Sequence, residues 1–311
     1  MIASGIHLAR RYKQQAPAPT TPPADEKTES SSDPTSPTAY ETRLSSLFKF
    51  VHQLISILYH KSDTSSTHGH SPSSSETCLR LFLLAAGVAD ECSLEELCYE
   101  FFVQAFVIYE ESISESKAQL GAITGIISGL QKSRVFGNDN YDTLITKAAL
   151  HGSKLLKKSH QAMAVLYASH MWWQGEVIGR ENDDKVGFFF DCASHVLVDL
   201  LITTQPPYRD GKRVLECLQK SLRIASSSID ELTSVQLYVD ALDRYVYYFE
   251  QGVEAVTPKY VNSLVELITS NIDSVHSGTE DGSGRGGGGS GGLVEGVGSP
   301  DMIVRVSLCL S

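Results

Sequence analysis

Residues 152–173 read GSKLLKKSHQAMAVLYASHMWW. The stretch reads as an elbow between two helices. The first ends in a basic turn, Lys154, Lys157 and Lys158, where cations suit the negative end of the helix dipole. The second carries Ala162, Leu166, Ser169 or His170, and Trp173 at three- and four-residue steps, which puts them on one face. Both tryptophans of the chain, Trp172 and Trp173, lie at its end. A face that ends in His and Trp is either the last layer of a core or a place where a partner docks. Periodicity leaves the two readings open.

The same unit recurs outward in both directions. Towards the N-terminus, Leu144, Ala148, Gly152 and Leu155 face inward on the preceding helix, after a turn at Asn138–Asp142. Before it, Leu120, Ile123, Ile127 and Leu130 share a face, and Gly121, Gly125 and Gly129 recur every fourth residue. Lys117 and Lys132 flank that helix, so the glycines predict close packing in a core rather than a membrane dimer. Ser93 and Glu96 have capping-box spacing ahead of a helix with Leu97, Phe101, Ala105 and Ile108 inward. Leu79, Leu83 and Ala86 line a helix expected to end near Gly87. Leu44, Leu47, Val51, Leu54 and Leu58 form an apolar stripe on another. Ile2, Ile6 and Ala9 suggest that the chain starts within a helix. Towards the C-terminus, Val214, Leu218, Leu222 and Ala225 line one helix. Leu232, Val235, Val239, Leu242, Val246 and Phe249 make the most regular stripe in the chain. Pro258 suits the first turn of a last helix with Leu264, Leu267 or Ile268, and Ile272 inward.

About ten amphipathic helices joined by short turns, with no strand pattern of weight, predict an all-α fold. Successive antiparallel pairs describe an α-solenoid, in which each pair buries its face against its neighbours. No tetratricopeptide signature is present, so the expected type is a HEAT-like solenoid covering 1–276. Residues 16–39 and about 62–76 are rich in Pro, Ser and Thr and read as disordered. His68 and His70 in the second of these read as loop residues. Residues 277–311 read as a disordered Gly-rich tail.

Residues 186–207 break the pattern and read as an insert. The run 186–202 approaches the length that spans a bilayer. Asp191, His195 and Asp199 share a helical face there, which opens an alternative: a membrane-anchored or metal-binding helical protein. Two carboxylates are costly in lipid, and chance spacing explains the three side chains.

The 311 residues carry 26 basic and 37 acidic side chains, a net charge of −11. A main nucleic-acid partner is therefore not expected, because phosphate binding needs a clustered basic surface. Six dispersed cysteines without a C-x-x-C pair favour a reducing compartment. No phosphate loop, nucleophile elbow, zinc-protease or dinucleotide motif occurs. No catalytic, metal or cofactor residue can be named, and the chain does not read as an enzyme. His151 and His160, beside the basic elbow, read as solvated.

Four longer stretches carry a resemblance: YEESISESKAQLGAITGII (109–127), SKLLKKSHQAMAV (153–165), YRDGKRVLECLQKSLRIA (208–225) and VQLYVDALDRYVYYFEQ (235–251). IHLARRYK (6–13), FKFVHQLISIL (48–58) and LRLFLLAAG (79–87) precede them in the same order. Together they resemble the C-terminal part of the vacuolar protein sorting-associated protein 35 family, the large α-solenoid subunit of the endosomal coat retromer. The resemblance implies a non-catalytic scaffold in endosome-to-Golgi retrograde transport, cytoplasmic and peripheral on the endosome membrane. The implied partner is the small metallophosphoesterase-fold subunit. Other retromer subunits and cargo receptors would bind family regions absent here, so membrane association would be indirect. The resemblance also aligns the end of the elbow with a His-x-aromatic-Trp element near the small-subunit groove. It thereby marks His170 and Trp173, and secondarily Trp172, as partner-binding candidates. The family has a shorter polar loop where 186–207 stands, and its pattern does not extend to the Gly-rich tail.

Overall fold

A computed structural model describes residues 2–14, 37–64, 72–175 and 207–280. Among them lie ten α-helices: α1 (Ile2–Gln14), α2 (Pro37–Thr64), α3 (Pro72–Glu91), α4 (Glu95–Ser112), α5 (Ser116–Lys132), α6 (Asn138–Ser153), α7 (Lys158–Ala168), α8 (Gly211–Ala225), α9 (Glu231–Glu250) and α10 (Pro258–Glu280). A 3-10 turn, Ser169–Trp172, extends α7. The chain divides into two compact units, Met1–Asn271 and Ile272–Ser311. The described part of the second is the remainder of α10. The insert 186–207 lies outside the described residues save Pro207, and with it fall Asp191, His195, Asp199 and the candidate span 186–202. The tail beyond Glu280 also lies outside them. Helix occupies the ends of the stretches 16–39 and 62–76 expected as loops, since α2 covers 37–64 and α3 starts at Pro72.

Helices pack in consecutive pairs, α1 on α2, α3 on α4, α5 on α6 and α7 on α8. Odd helices also pack on the next odd helix: α1 on α3, α3 on α5, α5 on α7, α7 on α9. That arrangement is an all-α solenoid of stacked hairpins, in which contacts stay between neighbours. An aromatic knot of Phe48, Phe82 and Phe101 joins α2, α3 and α4, with ring centroids 5.9 and 6.2 Å apart, and His52 lies against two of the rings. Gly129 lets α5 approach α4: a Cβ there would stand 3.1 Å from the Phe102 ring. Gly152 does the same for α6 and α7, 3.2 Å from Ala164 Cβ. The expected close packing of the glycine row therefore holds at Gly125 and Gly129, whereas Gly121 faces open space.

The turns within hairpins are tied to one another along one edge. Asp90 Oδ1, at the α3–α4 turn, accepts the main-chain N–H groups of Arg134 and Val135 at 2.7 and 2.9 Å. Glu95 Oε1 accepts from Gly137 N and Asn140 Nδ2. The α5–α6 turn in turn offers the Ser133 carbonyl to Gln174 Nε2 at 3.0 Å, and Arg134 donates to the Gly175 carbonyl.

Several expectations at the level of single residues need correction. Ser93 does not cap α4: it has a left-handed φ of 59° and closes α3. Ser93 N donates to Asp90 O and Leu94 N to Ala89 O, a Schellman motif. A residue that ends one helix in this way is not free to begin the next. Hence α4 has Leu94 at its cap without a side-chain bond, and α3 runs past Gly87 to Glu91. In α2 the buried face is Leu44, Phe48, Val51, Ile55 and Tyr59, one position away from much of the expected stripe, and Leu58 is exposed. In α9 the buried face is Ser234, Leu237, Tyr238, Ala241, Leu242, Tyr245 and Tyr248, so only Leu242 of the expected stripe is buried. Both helices carry two apolar stripes. Neighbours on two sides select the one with the large aromatics, which bury more area. The inward faces expected for α6 hold at Leu144, Ala148, Gly152 and Leu155. In α8, Val214, Leu218 and Ala225 are buried and Leu222 only half-buried.

The seating of α2 is directly testable. Phe48→Ala should cost about 3–5 kcal/mol as a buried aromatic, and Leu58→Ala under about 1 kcal/mol. Denaturant midpoints of the two variants measure the difference; equal losses would contradict this face.

Candidate docking site

The elbow of 152–173 is real, but its charges sit differently from the expectation. Lys154 is the C-cap of α6, where a cation suits the dipole. Lys157 lies in the connection and Lys158 is the first residue of α7, so they do not finish α6. All three are exposed. Two histidines expected to be solvated have partners. His151 Nε2 lies 2.9 Å from Glu110 Oε1, and His160 Nδ1 lies 3.0 Å from Ser116 Oγ. Burial outweighs the Glu110 contact and holds His151 below its usual pKa. A cavity of about 250 Å³ opens beside it, lined by Tyr109, Glu110, Gln119, His151, Lys154 and Leu155.

Beyond α7 the chain tightens into the 3-10 turn. Ser169 ties the turn down: its hydroxyl donates to Leu166 O and lies 2.9 Å from Tyr248 Oη on α9. Tyr141 Oη on α6 donates to Met171 O at 2.9 Å. Burial pushes both phenols well above their usual range, so both stay protonated as donors.

The three candidate residues have different surroundings. Trp172 is 2% exposed. Arg213 stands 4.9 Å over its ring and Tyr208 packs 6.3 Å away. The Cys217 thiol lies beside the indole N–H without good hydrogen-bond geometry, and burial pushes that thiol up to about 11. Trp172 is therefore a core side chain between α7 and α8, and it offers a partner far less surface than the other two candidates. His170 and Trp173 are half-buried. His170 packs against Tyr247 and Tyr248, with ring centroids 5.5 and 5.4 Å away. Burial, helped by the nearby Arg244 cation, lowers its pKa to about 4. Trp173 lies under Arg209, whose guanidinium carbon is 5.2 Å from the ring.

Trp173 also pairs with Arg209 in an antiparallel bridge. Asp210 N donates to Trp172 O at 2.7 Å and Gln174 N to Tyr208 O at 2.9 Å. Buried Gln174 completes the clasp, accepting from Tyr208 N while it donates to Ser133 O. The clasp holds the two ends that flank 176–206 side by side, at the base of α8. There Asp210 caps α8 through bonds to Lys212 N and Arg213 N. Gly211 beside it permits a close approach: a Cβ would stand 3.0 Å from Val253 in the α9–α10 turn.

Sequence reasoning did not find Arg209, Tyr247 or Tyr248 as neighbours of the candidates. The repeated tyrosines of α9, Tyr238, Tyr245 and Tyr248, were the available signal, because their spacing follows a helical face. Among the described residues no helix is long and apolar enough to cross a membrane. No group of three or more His, Cys, Asp or Glu side chains in them could hold a metal ion.

Stacked helical hairpins define an α-solenoid, with a half-buried His and Trp at one of its turns. The family model described as vacuolar protein sorting-associated protein 35 matches residues 1–271, and the chain belongs to that family. It is 41% identical over 229 residues to vacuolar protein sorting-associated protein 35 of Schizosaccharomyces pombe, covering 74% of this chain and 23% of that protein. It is 38% identical over 211 residues to protein 35B of Arabidopsis thaliana, covering 66% of this chain and 23% of that one. The chain thus spans about a quarter of the length of the curated relatives it matches.

Two outcomes check the site. Gln174→Ala removes the acceptor of the Tyr208 N–H and one of two donors to the Ser133 carbonyl, which keeps Arg134 Nη1 at 2.9 Å, and should cost on the order of 1–2 kcal/mol in unfolding experiments. His170 has a folded pKa of about 4 against a reference of 6.5, so the unfolded chain takes the proton first. Its effect on stability is absent above pH 6.5, and stability falls as pH drops from 6.5 to 4. Comparing pH–stability curves of the parent chain and His170→Asn isolates that slope, which the variant should lack.

Proposed function

We propose that this chain is a non-catalytic scaffold segment of retromer that docks the small metallophosphoesterase-fold subunit during endosome-to-Golgi transport. Membership of the vacuolar protein sorting-associated protein 35 family over residues 1–271 carries the reading. Half-exposure of His170 and Trp173 beside the fully buried Met171 and Trp172 supports docking at this turn. An aromatic and a histidine held by buried neighbours lose little side-chain entropy on binding. The scaffold acts at the cytoplasmic face of the endosome membrane, with peripheral and indirect attachment. Other retromer subunits and cargo receptors engage parts of the longer family members outside this chain.

Calorimetric titration of the chain with the purified small subunit tests this. His170→Ala and Trp173→Ala should each weaken binding by roughly 2–4 kcal/mol if they are central anchors. Trp172→Ala should act instead through stability, lowering the unfolding midpoint. Absence of binding at high micromolar concentration would overturn the proposal.

A further inference from the structure

Two helices from opposite ends of the described stack carry an apolar stripe beside the one they bury. The outer stripe of α2 is Leu47, Phe50, Leu54, Ile57 and Leu58, with Phe50 and Ile57 55% and 54% exposed. It lies away from α4, because Phe48 and His52, on the other side of α2, pack against Phe101. The outer stripe of α9 is Leu232, Val235, Val239, Val246 and Phe249, with Leu232 and Phe249 50% and 47% exposed. It lies away from α7, because Tyr248, on the other side of α9, meets Ser169. Contiguous exposed apolar surface rimmed by polar residues marks an interaction site.

The charges that bracket the two stripes are opposite. Arg43 precedes Leu47 by one helical turn and Lys61 follows Ile57 by one, so an exposed cation stands at each end of the α2 stripe. Glu231 and Glu250 stand at the two ends of the α9 stripe and are exposed as well. A helix rises about 1.5 Å per residue, so the two cations are about 27 Å apart along α2 and the two carboxylates about 28 Å apart along α9. We propose that copies of this chain associate head to tail, the outer stripe of α9 on one copy lying along the outer stripe of α2 on the next. Apolar side chains meet between the ends, and at each end a carboxylate of α9 faces a cation of α2. The match holds for parallel and antiparallel helices alike, since each stripe has the same sign at both ends. Two copies of α9, or two of α2, would bring like charges together, which opposes a symmetric contact. The interface is therefore heterologous, with different surfaces on the two copies. One helix pair is smaller than a standard interface of about 800 Å² per partner, so the association is weak.

Sedimentation velocity of the full chain from about 5 to 500 µM tests this, with one variant blocked at each face. Phe50→Glu with Ile57→Glu blocks α2, and Leu232→Lys with Phe249→Lys blocks α9. All four positions are about half exposed, so both variants should keep the fold, which circular dichroism checks. A variant that loses its helical spectrum is replaced by the pair of serine substitutions at the same two positions. The mass of the parent chain should rise with concentration, and its apparent Kd should weaken severalfold between about 50 and 500 mM NaCl as the end charges are screened. Each blocked variant alone should stay monomeric. Mixed in equal amounts, the two should form a dimer, because each retains the face that the other lacks. Association of either variant by itself means that like faces meet, and overturns the proposal. A mixture that stays monomeric overturns it too, as does a parent chain still monomeric at the highest concentration.

Discussion

Asp90 and Glu95 stand on either side of the α3–α4 turn, and both accept hydrogen bonds from the next hairpin's turn. That turn, through Ser133 and Arg134, is bonded to Gln174 and Gly175. Gln174 passes the connection to Tyr208, and Gly211 carries it by close packing to Val253. Four successive turns are thereby linked along one edge of the stack. Apolar helix faces alone leave neighbouring hairpins free to slide, because dispersion contacts are individually weak and not directional. Hydrogen bonds between turns fix the offset. Burial pushes the Asp90 carboxyl above its usual range, and the two main-chain donors work against that shift. Its role is to satisfy donors that would otherwise be orphaned between repeats.

The candidate docking site grows out of the same edge. Its 3-10 turn is held by Ser169 to α9 and by Tyr141 to α6, so three hairpins meet around it. This explains how adjacent residues come to differ so much. Met171 and Trp172 point into the junction, whereas His170 and Trp173 lie at its margin. The clasp between 172–174 and 208–210 keeps the margin in place across a long stretch of chain. Arg209 and Arg213, on the far side of the clasp, each cover one of the two tryptophans.

Much of this was legible beforehand. Single apolar stripes gave the inward faces of α5 and α6 well, because each of those helices has one face richer than any other. The α2 and α9 faces were misjudged for a common reason. Each helix has apolar residues on two adjoining faces, and a period of 3.6 cannot rank two faces that both satisfy it. The choice falls to the neighbours, which accommodate Phe48, Tyr245 and Tyr248 inward and leave Leu58, Leu232 and Phe249 outward. Ser93 shows a similar limit at a helix end. Its spacing to Glu96 fits a cap, but one residue cannot both close α3 in the left-handed conformation and open α4.

The amino-acid sequence by itself determined the all-α class, the hairpin repeat and the family, because helical period and the order of motifs are properties of the chain. It also singled out His170, Trp172 and Trp173 as a group. Only the tertiary structure separated them. Exposure depends on which elements arrive from elsewhere in the chain: α8 brings Arg213 and Cys217 over Trp172, while α9 leaves one edge of His170 uncovered. Adjacent positions in a tight turn point in different directions, and the distant helices that reach each of them decide which side chain is core and which is surface.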